Sequence, residues 1–122
     1  MRQLARLLFV ALNFSLLSAA NAGTVVCEGT VQELTLHQPG LVGLRLSSMS
    51  APVFIYRIDA EQTIPGAAST SAANCKAMYA GLLAAKISGT FVHGAYFDGD
   101  QVPASCNAAQ FWTYVSLRSF TL

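Results

Sequence analysis

The chain has 122 residues, 53% of them hydrophobic and only 11% charged, with seven Lys or Arg against six Asp or Glu for a formal charge of +1. That length suits one domain, and the absence of any charge run removes the basic patch or stripe that a nucleic-acid binder presents. Three cysteines and two histidines, with no Cys-x-x-Cys or His-x-x-x-His spacing, remove the usual zinc patterns; no metal and no cofactor is expected.

The first 22 residues read as an export signal. Arg2 and Arg6 give a basic start, an apolar run covers residues 7–17, and Ala20-Asn21-Ala22 supplies the small residues that precede a cut before Gly23. A bilayer-spanning helix needs about 20 apolar residues, so this run is too short, and no membrane span is expected once it is removed. The remaining domain, residues 23–122, keeps five basic and six acidic residues and is close to neutral. Its expected location is secreted or periplasmic, where conditions are oxidising and one disulfide can form and persist.

Residues 24–36 alternate in the strand period. Val25, Cys27, Gly29 and Val31 share one face, and Leu34 and Leu36 resume it after a slip near Gln32 and Glu33, as a β-bulge produces. His37-Gln38-Pro39-Gly40 reads as a tight turn. A second strand covers residues 41–46, and a small-residue connection over 47–52 leads to a third strand over 53–58 that is almost wholly apolar. Residues 59–73, rich in Ala, Ser, Thr, Pro and Gly without a period, read as a surface loop. The helix follows over 74–86: Cys75, Met78, Tyr79, Leu82, Leu83 and Lys86 lie on one face, with Asn74 as cap and Gly89 as stop. A fourth strand over 87–97 and a loop from Asp98 to Asn107 precede a fifth strand over 110–122. There Phe111, Thr113, Val115 and Leu117 share one face, and Trp112, Tyr114, Ser116 and Arg118 share the other.

This order describes a mainly β domain with one α-helix. It is the order of the OB-fold, a five-stranded, partly open Greek-key barrel, here with the helix between strands three and four. An open antiparallel sheet with one helix packed on it is the alternative. Three cysteine pairings are open. In the barrel, strand one runs antiparallel to strand four, which brings Cys27 toward Cys106 in the loop that follows. Cys75 belongs to the apolar face of the helix, so the expected bridge is Cys27 to Cys106, with Cys75 reduced and buried.

Lys76-Ala77-Met78-Tyr79 with Leu82-Leu83-Ala84-Ala85, then Gly89, Val92, Cys106, Trp112, Tyr114, Val115 and Leu117, resemble small secreted bacterial proteins. The layout over residues 24–122 is similar to the OB-fold binding subunits of AB5 toxins, particularly that of subtilase cytotoxin. The resemblance implies a homo-oligomer, a pentameric ring that binds cell-surface glycans.

Trp112, Tyr114 and Tyr96 are the candidate ligand-binding residues, because flat rings at alternating strand positions can stack on sugars or anchor a protein partner. Ordinary packing, in the core or a subunit interface, competes for the same rings. No catalytic residue is assigned: there is no Gly-x-Ser-x-Gly, and His93 lies in strand four beside small residues. Asp98 and Asp100 read as turn-forming acids, since the other ligands of a calcium loop are missing. The expectation is an exported non-enzymatic binding module with a glycan or protein partner and no nucleic acid. A periplasmic structural or inhibitory protein is the alternative, and a small hydrolase a weaker third.

Overall fold

A computed structural model describes residues 23–122, so the expected signal over residues 1–22 lies outside the described residues. β1 (Gly23–His37) is the spine of the domain, because its 15 residues pair antiparallel with two partners in succession. Its first half pairs with β4 (Phe91–Gly99), from Gly23 opposite Gly99 to Thr30 opposite Phe91. Its second half pairs with β2 (Leu41–Leu46), from Val31 opposite Leu46 to His37 opposite Leu41. β3 (Val53–Arg57) adds to β2 and β5 (Ser116–Thr121) adds to β4, giving one antiparallel sheet in the order β3-β2-β1-β4-β5.

A strand that changes partners must bend, and β1 bends at two irregularities. One falls between Val31 and Glu33, where the hydrophobic phase slips in the sequence. The other lies between Cys27 and Gly29. Gly29 has φ +140°, and a Cβ there would collide with Ser47 Oγ, so both backbone and neighbour require glycine. The curvature brings the sheet edges together at one place. Phe54 N–H donates to Thr113 O (2.9 Å) and Val115 N–H donates to Phe54 O (3.0 Å), forming one parallel bridge between Phe54 and Tyr114. The edges meet at that bridge rather than along a ladder.

α1 (Ala72–Ser88) lies between β3 and β4. Ser71, not Asn74, is the cap: its backbone is extended and its hydroxyl accepts the Asn74 N–H at 3.2 Å, which starts the helix ahead of Asn74. At the other end Ser88 Oγ donates back to Ala84 O (2.8 Å), holding Ile87 and Ser88 in the last turn. Gly89, at φ 68°, stops it, so β4 begins at Phe91 and not at Ile87.

Cys75, Leu82 and Ala85 are sealed under the helix, with Met78 and Tyr79 packed beside them. Lys86 instead reaches out to Gln32 O (3.2 Å) and Leu83 stays exposed, so the buried stripe is narrower than the spacing implies. Opposite the helix, Leu44, Leu46, Ile55, Val92 and Phe97 complete the core; burying each such side chain contributes about 1.5–3 kcal/mol. Cys27 and Cys106 form the disulfide, with Cα atoms 5.8 Å apart, and Cys75 is a free buried thiol. Among the described residues no helix is long and apolar enough to cross a membrane.

Candidate binding site

Trp112 departs from strand geometry. With φ +60° it is the one non-glycine residue at positive φ among the described residues, a conformation that costs of order 1–3 kcal/mol. Its N–H donates to Pro52 O at 2.9 Å, which ties this reversal to the start of β3. The reversal ends the alternation expected over residues 110–122. β5 therefore begins at Ser116, and Phe111, expected beside Val115 and Leu117, is exposed.

The Trp112 indole lies across β2 instead. Thr35, Gly43 and Phe54 stand in one row across β1, β2 and β3, and Gly43 leaves the slot the indole needs. A Cβ at Gly43 would sit 2.9 Å from Trp112 Cζ3 and collide with Thr35 Oγ1. Phe54 packs against Trp112 with ring centroids 4.8 Å apart, and Tyr114 packs on Phe54 at 5.3 Å. His37 meets both Trp112 (4.9 Å) and Phe54 (5.2 Å) edge-on, and its Nε2 lies 3.1 Å from Thr35 Oγ1. Trp112 and Tyr114 are 37% and 38% exposed. The result is a shelf of tilted rings, each partly in water, on the outside of the sheet.

Tyr96 is elsewhere. It stands on β4 opposite Val26 and Ser119, under the Arg118 guanidinium at 5.0 Å. Arg118 Nε forms an ion pair with Asp98 Oδ2 (3.0 Å), and Thr24 Oγ1 donates to Asp98 Oδ1 (2.7 Å). Asp98 is thus a member of β4 engaged on both oxygens, not a turn former. Behind this cluster the side chain of Tyr56 is buried. Burial above all pushes its phenol far above the ordinary range, with neighbouring Cys75 and Asp98 acting in the same direction, so it stays a neutral donor. Burial likewise pushes the Cys75 thiol up, leaving it protonated.

Of the three rings singled out in the sequence, the structure brings Trp112 and Tyr114 together through Phe54 and leaves Tyr96 apart. His37, Phe54 and Gly43 escaped the sequence reading. Gly43 carried the usable signal, because a glycine between Val42 and Leu44 empties one outward position, at the point where the pairing with β3 shifts register. His93 is exposed and faces Glu28, with Nδ1 and Oε2 3.7 Å apart. Among the described residues no three His, Cys, Asp or Glu side chains are placed to hold a metal ion. No protein family, curated protein or solved structure matches this chain.

Proposed function

We propose that the domain is an exported, non-enzymatic binding module whose shelf of Trp112, Tyr114 and Phe54, edged by His37, receives the apolar face of a sugar ring. One observation carries this reading: a strained backbone holds the indole partly in water, over a slot kept open by glycine. A tryptophan needed for packing alone gains most from full burial in a relaxed backbone. Backbone strain of this kind clusters where a side chain must be presented to a ligand. The resemblance to toxin binding subunits supports glycan as the ligand class, and a homo-oligomer would multiply weak single-site contacts into useful avidity. The Cys27–Cys106 bridge fits an oxidising compartment, secreted or periplasmic.

A protein partner is the second reading, favoured by Phe111, which is 69% exposed next to Trp112 and extends the apolar surface. In that case the domain acts as a structural or inhibitory periplasmic protein. A glycan array probed with residues 23–122 and with the Trp112→Ala variant separates the two. The glycan reading expects discrete hits that vanish in the variant. An empty array, with a monomer in sedimentation, would move the assignment to a protein partner.

A further inference from the structure

A cavity of about 340 Å³ opens between the start of α1 and the β4–β5 end of the sheet, walled by Tyr56, Thr70, Asn74, Met78, Asp98 and Arg118 among others. None of the shelf residues lines it. We propose that this cavity is a second binding site, for an oxyanion, a carboxylate or sulfate, carried on a hydroxylated molecule about the size of a monosaccharide.

Three features favour an anion here. The first is the amino end of α1, which reaches the wall at Asn74: Ser71 takes the Asn74 N–H on its hydroxyl and the Cys75 N–H on its carbonyl, which leaves the Ala72 and Ala73 N–H groups, just behind the wall, without an intrahelical acceptor. No acid occupies the first turn, so the positive end of this 17-residue helix is uncompensated. The second is Arg118, which binds Asp98 through Nε and keeps its Nη groups for a ligand, while the Tyr96 ring steadies the guanidinium. The third is Tyr56. Its side chain is 2% exposed, it reaches the cavity wall, and no hydrogen bond engages its hydroxyl among the described residues. That hydroxyl is therefore free to donate to a ligand oxygen in the cavity.

Asp98 is the one acid on the wall, and it does not repel the ligand strongly, because Thr24 and Arg118 occupy its two oxygens. Thr70 and Asn74 offer side-chain partners for ligand hydroxyls, and Met78 and Leu117 supply an apolar surface for the carbon frame. The charge pattern favours an anion over a neutral sugar. The volume admits one ring and not a chain.

Calorimetric titration of the disulfide-bonded domain with D-glucuronate, D-glucose and sodium sulfate tests the proposal. Glucuronate is expected to bind and glucose not. Sulfate that competes with it at equal affinity assigns the site to a bare oxyanion, and weaker sulfate assigns it to a sugar acid. Asn74→Asp is nearly isosteric and places an acid at the helix start, where it favours the helix; it should melt no lower than the wild type yet bind glucuronate about tenfold more weakly or worse. Arg118→Gln should lose a similar factor, and Trp112→Ala should lose nothing. Equal binding of glucose and glucuronate, no heat from either anion at millimolar concentration, or undiminished binding in Asn74→Asp overturns the proposal. Loss of glucuronate binding in Trp112→Ala would place the ligand on the shelf and overturn it as well.

Discussion

Leu82 and Trp112 are both large apolar side chains, and the fold treats them in opposite ways. Leu82 sits in regular helix, wholly buried, within the core cluster that helix and sheet side chains form together. Trp112 sits in a strained loop, held by one backbone bond to Pro52 and by a gap where Gly43 lacks a side chain. The interior is over-determined and the shelf is not. Stability is therefore concentrated under α1 and tolerates little change, whereas the shelf can be altered with small loss of fold. That separation is expected where one surface is set aside for binding.

Leu82→Asp attacks the sealed side and should have the largest effect. An unpaired carboxylate there costs several kcal/mol, enough to abolish cooperative melting. A variant that still melts at the wild-type temperature would show that the helix does not cover the core. Cys27→Ser combined with Cys106→Ser comes next. Releasing a loop closed across 79 positions removes up to about 4 kcal/mol by loop-closure entropy, read as a lower urea midpoint.

Gly43→Ala tests the other side. The added methyl must displace the indole or Thr35, at about 1–3 kcal/mol, and should change the emission of Trp112, the single tryptophan of the chain. Unchanged emission would mean that the slot does not position the ring. The smallest effect is expected at Asp59, whose carboxyl is held below its usual range by the Arg57 guanidinium, with contacts of 3.0 and 2.8 Å. A depressed folded value stabilises above the unfolded value and loses that contribution as pH falls through the folded one. Asp59→Asn should thus lower the melting temperature slightly near neutrality and match the wild type in strong acid. A larger gap in acid than near neutrality would reverse the sign of this pair.

The same contrast explains what could be read from the sequence. Local rules placed β1 to β4, the bulge near Gln32 and the helix, because hydrophobic period and stop signals are short-range properties. The Cys27–Cys106 pairing was also legible, since it depends only on two strands running antiparallel. The start of β5 was not: residues 110–114 alternate well, and the bond from Trp112 to Pro52 that overrides the alternation spans 60 positions. The shelf draws on β1, β2, β3 and the loop before β5, and the cavity beside α1 is likewise assembled from distant segments. Neither leaves a contiguous motif.

Because Trp112 is the only tryptophan, its fluorescence reports on the shelf without any label. The most direct test is an emission titration of the intact domain with an oligosaccharide that scores on the array, in parallel with calorimetry. The account predicts saturable quenching with the calorimetric midpoint, and a loss of binding of roughly 2 kcal/mol in Trp112→Ala without a matching fall in melting temperature. Calorimetric binding that leaves the emission unchanged and survives Trp112→Ala would contradict it.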